Sequence, residues 1–326
     1  MTLDVPEFDD VLAAQRRLAG HAVRTPLLSH PVLDARVGAR VLVKPETLQR
    51  VGAFKFRGAY NRIAEVDRER FPGGVVACSS GNHAQGVAHA AALLGLSSHV
   101  VMPSDAPALK IARTRAFGAE VVLYDRDKED REAIARRLAE AHRADFVHPF
   151  DDRGVIAGQG TVGLELADDA VDMGLALDMV LVPCSGGGLA SGIALAVKHH
   201  MPSTRVIIVE PHGFDDFGRS LQSGRREHNA RASGSIADAL MASTPGVLTF
   251  ALGQRLFDAA VTVTDDEIAA AMRFAFLELK LVVEPGGAAA LAALLSGRWQ
   301  ARGATVGVVL SGGNADPQEF SRIIAK

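Results

Sequence analysis

The chain has 326 residues, of which 48% are hydrophobic and 22% charged, and its formal net charge is −3. This length is comfortable for two domains, and the composition is that of a globular protein. The small negative charge argues against nucleic acid or a membrane surface as a partner, and no apolar run is long enough to span a bilayer.

Short β-branched runs alternate with amphipathic or alanine-rich segments, which is typical of parallel α/β sheets covered by helices on both faces. We predict strands over residues 40–44, 74–79, 99–102, 120–124, 145–148, 179–183, 205–210 and 305–310. We predict helices over residues 54–66, 83–94, 108–117, 128–142, 160–170 and 188–199. A capping box at Thr264 and Glu267 and a proline at 285 open two later helices. The polar residues 218–233 are predicted to form a surface loop.

Two cysteines, Cys78 and Cys184, lie in apolar strand-like runs. Neither has a second cysteine or a histidine at metal-ligand spacing, so structural zinc is not expected. Buried free thiols and an acidic N-terminus without an apolar stretch predict a cytoplasmic protein.

A lysine between aromatic residues, Phe54-Lys55-Phe56, follows the first predicted strand. Aromatic neighbours desolvate an amine, lower its pKa and make it a nucleophile for an aldehyde. From this segment alone, a surface lysine with its stem on apolar neighbours is equally compatible with the pattern.

Three further loops follow predicted strands. The run Ser185-Gly186-Gly187-Gly188 opens a helix, and such a nest of N–H groups binds phosphate. The run Ser79-Ser80-Gly81-Asn82-His83 also opens a helix and suits a carboxylate, although a serine N-cap without a ligand is common. A third, Leu310-Ser311-Gly312-Gly313-Asn314, adds glycines at another strand end. Ligands bind beyond the carboxyl ends of parallel strands, so we expect one shared site.

Residues 158–163, Gly-Gln-Gly-Thr-Val-Gly, match the G-x-G-x-x-G pattern of dinucleotide-binding enzymes. They do not directly follow a convincing strand, which the dinucleotide motif requires. An NAD-dependent dehydrogenase is therefore disfavoured.

Together these motifs resemble the fold-type II pyridoxal-phosphate (PLP) enzymes, in the serine/threonine dehydratase and serine racemase group. The matching segments, in family order, are residues 44–46, 52–59, 79–86, 157–161, 185–188, 283–285 and 310–314. The resemblance implies a tryptophan synthase β-like fold of two open, twisted parallel α/β sheets. It also implies a large PLP-binding domain of residues 1–72 and 148–326 and a small substrate-closing domain of residues 73–147.

The resemblance implies the roles of individual residues. Lys55 would hold PLP as an imine and move the Cα proton, and Ser80 would be a second acid/base on the opposite face. Cofactor contacts would come from Phe54, Lys55, Asn82, Ser185, Gly186, Gly187, Gly188, Leu189, Glu284 and Ser311. Substrate contacts would come from Ser79, Ser80, Gly81, Asn82, His83 and Arg131.

The implied reaction is β-elimination of water from a β-hydroxy amino acid, giving a 2-oxo acid and ammonia. Ser80 and residues 124–132 are similar to the hydroxyaspartate dehydratases, in which an arginine at the position of Arg131 faces a second carboxylate. A solvated helix arginine is the alternative for Arg131. We predict 3-hydroxyaspartate as substrate, with L-serine or L-threonine dehydration, a serine or aspartate-type racemase, and a non-catalytic small-molecule binder as alternatives.

The same resemblance implies a divalent-cation site for Mg²⁺, Ca²⁺ or Mn²⁺ at Glu210, the carbonyl of Phe214 and Asp216. Hard oxygen ligands suit these ions, although Glu210 at a strand end has a purely structural explanation as well. The family also implies a homodimer or larger homo-oligomer. Ala53 departs from the family, which usually has serine there.

Overall fold

The computed structural model describes residues 3–79, 81–106, 108–125 and 128–325. The strands are β1 (Leu28–Ser29), β2 (Arg40–Pro45), β3 (Val75–Cys78), β4 (Ser98–Pro103), β5 (Glu120–Tyr124), β6 (Asp145–Phe146), β7 (Met179–Pro183), β8 (Arg205–Pro211), β9 (Ala259–Val263) and β10 (Thr305–Leu310). The first helices are α1 (Phe8–Leu18), α2 (Pro31–Val37), α3 (Lys55–Ala64), α4 (Asn82–Leu93), α5 (Ala108–Ala116), α6 (Arg131–His142) and α7 (Arg153–Asp172). The later helices are α8 (Gly188–His200), α9 (Asp216–Ser223), α10 (Val247–Leu256), α11 (Asp265–Phe274), α12 (Pro285–Leu295) and α13 (Pro317–Ile324).

The strands form two sheets. The larger has six strands in the order β1-β2-β10-β7-β8-β9, and all neighbours are parallel except β1 and β2. The smaller has four parallel strands in the order β5-β4-β3-β6. The predicted α/β class with two open, mainly parallel sheets is confirmed.

The central strands are buried over most of their length, because helices cover both faces of each sheet. In β7 and β8, for example, every residue from Val180 to Val182 and from Val206 to Val209 is fully buried. The strands of the smaller sheet all lie within residues 75–146, inside the segment expected to form a small domain. The domain boundaries themselves stay a prediction.

The glycine run of residues 158–163 lies inside α7 and forms no loop. A Cβ on Gly158 would come within 2.6 Å of the Gly58 Cα on α3, and one on Gly163 within 2.7 Å of the Ile193 Cα on α8. Glycine is therefore needed here because helices cross closely. These glycines serve helix packing rather than a dinucleotide-binding loop.

Two buried cations anchor the segment that carries Lys55. Arg57 pairs with Glu46 at 2.8 Å and with Glu165 of α7 at 2.7 Å, while Lys44 pairs with Glu165 at 2.8 Å. A buried charge without its partner costs several kcal/mol, so these pairs hold α3 and α7 in one relative position.

The prediction of a surface loop over residues 218–233 is partly wrong. Residues 218–223 belong to α9, which buries Phe217, Gly218 and Ser220 against β8 and β9 and ends at Gly224 in the left-handed conformation. The segment is polar in composition, but its few apolar side chains fall on one helical face. Along the described ranges, no helix has the length and hydropathy needed to cross a membrane.

Candidate active site

A cavity of about 190 Å³ lies where β3, β7 and β10 end. It is lined by Phe54, Lys55, Cys78, Ser79, Gly81, Asn82, His83, Lys110, Arg131, Pro149, Phe150, Pro183, Cys184, Ser185, Gly186, Gly187, Gly188, Leu189, Asp238, Ala239, Leu240, Met241, Ala242, Glu284 and Ser311. All ten residues expected to contact the cofactor line it. So do the residues expected to contact the substrate, except Ser80, which lies outside the described residues.

Lys55 is the first residue of α3, and its Nζ donates to the carbonyl of Pro149 at 2.6 Å. The amine lies 5.1 Å from the centre of the Phe54 ring. Burial lowers the pKa of Lys55 to about 8. The amine has no carboxylate partner among the described residues, so it is free to lose its proton and attack an electrophile.

The phosphate-type loop has the geometry expected of an anion cradle. Gly187, at the N-cap of α8, has a φ of 95°, and the first-turn N–H groups that follow have no helical acceptor. A Cβ on Gly186 or Gly188 would meet Phe150 at 2.4 or 2.9 Å. The glycines thus let the backbone lie against Phe150 while its N–H groups face the cavity.

Ser311 follows β10 and is brought beside α3 by backbone pairing. The Ser311 carbonyl accepts from the N–H of Phe54 at 3.1 Å, and Gly313 N–H donates to the Gly52 carbonyl at 2.9 Å. The Ser311 side chain lines the cavity and is 5% exposed. It offers a neutral hydroxyl rather than a carboxylate to whatever ring occupies the cavity.

Asn82 and Glu284 meet on one wall of the cavity. Asn82 Nδ2 donates to Glu284 Oε1 at 2.5 Å, although the two residues lie 202 positions apart. Burial raises the pKa of Glu284 to about 7, and the negative charge of Asp238 adds to the shift. Asn82 is also the first residue of α4, so its backbone N–H belongs to a second helix N-terminus in the cavity.

His83 is buried and neutral. Burial lowers its pKa to about 3, and its Nε2 lies 3.1 Å from the carbonyl of Val147. Since a carbonyl only accepts, Nε2 carries the proton and Nδ1 has none. The side chain therefore offers no donor from Nδ1, and its backbone N–H in the first turn of α4 is the group suited to a substrate carboxylate.

Arg131 opens α6 and reaches the cavity. In the described part of the chain it has no carboxylate within ion-pair distance. A cation at a helix N-terminus is unfavourable on its own, because the helix dipole is positive there. The Asp130 carboxylate caps the N–H groups of Glu132 and Ala133, so Arg131 is itself the cationic group that this helix brings to the cavity.

Sequence analysis missed two charged residues of the cavity, Lys110 and Asp238. Lys110 Nζ lies 2.9 Å from Asp238 Oδ2. Lys110 is on α5, which follows the carboxyl end of β4, so the strand-end rule could have found it. Asp238 lies in a short 3₁₀ turn within an irregular stretch and gives no comparable signal.

The residues expected to bind a metal lie outside the cavity. Glu210 is fully buried and accepts from the N–H groups of Phe217 and Gly218 at 2.9 and 2.8 Å. Asp216 Oδ1 accepts from Asn229 at 2.6 Å, whereas Asp216 Oδ2 is buried without a hydrogen-bond partner. Burial and the charge of Asp216 raise the pKa of Glu210. No cluster of three or more His, Cys, Asp or Glu side chains suited to a metal occurs among the described residues.

Known proteins are similar to this chain in sequence and architecture. A family model described as pyridoxal-phosphate dependent enzyme matches residues 18–312. An L-threo-3-hydroxyaspartate ammonia-lyase from a Pseudomonas species is 42% identical over 322 residues, covering 99% of both chains.

Two solved structures are also similar. A threonine deaminase from T.th. has 45% identity and a TM-score of 0.89, with 95% of this chain and 99% of the other covered. A serine racemase from maize has 38% identity and a TM-score of 0.92, with 98% and 97% covered. The expected family is thereby confirmed, and the chain belongs to the pyridoxal-phosphate-dependent enzymes.

Proposed function

We propose that the protein is a PLP-dependent ammonia-lyase that removes water from 3-hydroxyaspartate, giving a 2-oxo acid and ammonia. The observation that supports this substrate is the position of Arg131. It lines the same cavity as Lys55 and has no carboxylate partner among the described residues. Sequence identity does not separate the substrates, because a hydroxyaspartate ammonia-lyase and a threonine deaminase are similarly close.

The described residues fit PLP. The glycine cradle at the start of α8 would hold its phosphate, Lys55 its aldehyde carbon, and Phe54 and Asn82 its ring. When bound, the cofactor makes the Cα–H of an amino acid acidic by delocalising the electron pair left on carbon. The neutral hydroxyl of Ser311 would leave the ring nitrogen uncharged, which favours early loss of a β-leaving group.

The chain's own groups orient the substrate and take the proton from Cα, and the hydroxyl then leaves Cβ as water once it has received a proton. The N–H groups in the first turn of α4 orient the α-carboxylate. The Lys55 amine, with its pKa lowered to about 8, takes the proton from Cα. The expected role of Ser80 on the opposite face stays a prediction.

Arg131 would bind the β-carboxylate that distinguishes 3-hydroxyaspartate from threonine and serine. A guanidinium binds a carboxylate through two parallel hydrogen bonds, and losing a hydrogen bond between charged groups costs about 2 kcal/mol. We expect Arg131→Gln to lower kcat/KM for 3-hydroxyaspartate roughly 30-fold and to change kcat/KM for threonine by less than about threefold.

The test is a panel of the 3-hydroxyaspartate isomers with L- and D-serine and threonine, following 2-oxo acid release. Arg137→Gln is the matched control, because Arg137 is exposed on the same helix, as Arg131 is, but lies outside the cavity. Equal losses for 3-hydroxyaspartate and threonine in Arg131→Gln would contradict the assignment. Comparable wild-type kcat/KM for threonine and the hydroxyaspartates would identify a threonine dehydratase instead.

We also propose a divalent cation beside Glu210 and Asp216. The unpartnered Asp216 Oδ2 and the mutual repulsion of two buried carboxylates support it, since a hard cation would satisfy both. Burial raises the pKa of Asp216 to about 6, as expected when a compensating charge is missing. We expect Mg²⁺, Ca²⁺ or Mn²⁺ to raise the Tm of EDTA-treated protein. An unchanged Tm with all three ions would refute the site.

We also propose that the protein is a cytoplasmic homo-oligomer. Two buried free cysteines support a reducing compartment. Three apolar side chains close together in sequence, Phe276, Leu277 and Val282, are 36–48% exposed, which supports an interface with another subunit. Light scattering of the purified protein measures the assembly.

A further inference from the structure

We propose that Asn314 is a positioning residue that fixes the orientation of the Asn82 carboxamide, so that Asn82 presents an N–H donor to the cavity. The inference rests on the proposed function in one respect, namely that Asn82 contacts the cofactor ring. Asn314 does not line the cavity, so it acts through Asn82.

The orientation of the Asn314 carboxamide is set by two groups that have only one hydrogen-bonding role. Asn314 Nδ2 lies 2.7 Å from the carbonyl of Val51, which can only accept. Asn314 Oδ1 lies 3.2 Å from the guanidinium of Arg113, which can only donate. A reversed carboxamide would therefore face like groups on both sides.

The orientation of the Asn314 carboxamide in turn fixes that of the Asn82 carboxamide. Asn314 Nδ2 donates to Asn82 Oδ1 at 2.8 Å, so the oxygen of Asn82 is turned away from Glu284. Asn82 Nδ2 then points at Glu284 Oε1, 2.5 Å away, and uses one of its two protons there. The second proton is left for an acceptor in the cavity, such as an oxygen on an aromatic ring.

The backbone opposite Asn314 is shaped for this contact. Val51 has a φ of 57°, a left-handed conformation that is costly for a β-branched residue, and its carbonyl meets Asn314. Gly52 has a φ of 70°, and a Cβ there would lie 2.9 Å from Asn314 Oδ1. Both features bring the chain close to Asn314, and both precede Lys55 by only a few residues.

The test substitutes the donor of Asn314 with an acceptor of the same shape. In Asn314→Asp, the carboxylate turns the Asn82 carboxamide around, so that its oxygen faces Glu284 and the cavity. We expect the Kd of the apoprotein for PLP to rise at least about tenfold, because one hydrogen bond to the ring is replaced by repulsion. The absorbance maximum of the bound cofactor should also shift, and the Tm of the apoprotein should fall.

A second substitution separates positioning from stability. When Asn314→Asp is combined with Glu284→Gln, the amide introduced at position 284 can donate to the reversed Asn82 oxygen, so the hydrogen bond between positions 82 and 284 is restored in the wrong orientation, while the Val51 carbonyl still lacks its donor. We therefore expect the Tm to recover in part while the PLP Kd and the absorbance maximum stay altered. Glu284→Gln alone is the reference for the double variant, because its carboxamide oxygen can still accept from Asn82 Nδ2, so any change in its PLP Kd is the part that does not come from reversal of Asn82.

The outcomes are distinct. An Asn314→Asp protein with the wild-type Kd and spectrum overturns the proposal. So does a double variant whose Kd recovers together with its Tm, since Asn314 would then be merely structural. A wild-type protein that does not bind PLP instead refutes the cofactor contact of the proposed function, before any variant is compared.

Discussion

Lys55 shows how one side chain acquires a chemical role from its surroundings. The sequence places it between two phenylalanines, and that pattern alone also fits a surface lysine. The structure buries its amine against the Phe54 ring, with the Pro149 carbonyl as its acceptor. Burial destabilises the charged ammonium, and the pKa falls to about 8.

This pKa predicts how cofactor binding depends on pH. Only the neutral amine attacks an aldehyde, and a fall in pKa from 10.5 to about 8 leaves roughly a quarter of it neutral at pH 7.5 instead of about a thousandth. The rate at which apoprotein takes up PLP should therefore rise with pH and level off above about 8. Stopped-flow absorbance measures it, with Lys55→Ala as the control that forms no imine. A rate that keeps rising to pH 10 would show an ordinary lysine.

At the scale of elements, strands with a marked β-branched or aliphatic run were predictable and strands without one were not. β5, β7 and β10 have the predicted bounds, because each is a continuous apolar run. β1 and β9 were missed, and they form the two edges of the larger sheet, where fewer side chains are buried. β1 is only two residues long and β9 begins with two alanines, whereas β5 has a Val-Val-Leu run that made it predictable although it is the edge of the smaller sheet.

The candidate site could likewise be predicted only in part. Glycine-rich loops at strand ends could be predicted, since parallel strands bring their carboxyl ends to one edge. The partnership of Asn82 with Asn314 could not be, because it joins side chains 232 positions apart through amide orientation alone. Lys110 and Asp238 were missed for a similar reason, as their pairing depends on how the two sheets face each other.

The helix crossing at Gly158 gives a prediction for stability. Alanine has the higher helix propensity by about 1 kcal/mol, yet its Cβ would lie 2.6 Å from Gly58. Overpacking costs typically about 1–3 kcal/mol, so we expect Gly158→Ala to lower the free energy of unfolding by about 1 kcal/mol or more. Urea denaturation measures it. Val171→Ala on the exposed side of α7 is the control and should be neutral, whereas a stabilised Gly158→Ala would mean that the helices can move apart.

For the whole molecule, the ion pair of Lys110 and Asp238 joins the two sheets at the cavity. Lys110 is on α5 beside β4 and β5 of the smaller sheet. Asp238 belongs to a turn that packs on α12 of the larger sheet. The pair therefore links α5 to the larger sheet at the wall of the cavity.

Removing this charge should loosen α5. We expect Lys110→Met to speed amide hydrogen exchange in α5 about fivefold in the apoprotein, since an ion pair with one half-exposed partner contributes about 1 kcal/mol. Arg115→Met is the matched control, because Arg115 is exposed on the same helix. If both variants exchange at the wild-type rate, the pair does not restrain the helix.

Cys78 and Cys184 share the cavity with Lys55, and their burial decides which nucleophile meets an aldehyde there. Thiols ordinarily ionise at lower pH than amines. Here the order is reversed. Burial raises the pKa of Cys78 to about 11, and burial with the charges of Glu210 and Asp216 raises that of Cys184 well above its usual value. At neutral pH both thiols stay protonated, so they neither compete with Lys55 for the aldehyde nor react readily with alkylating agents such as iodoacetamide.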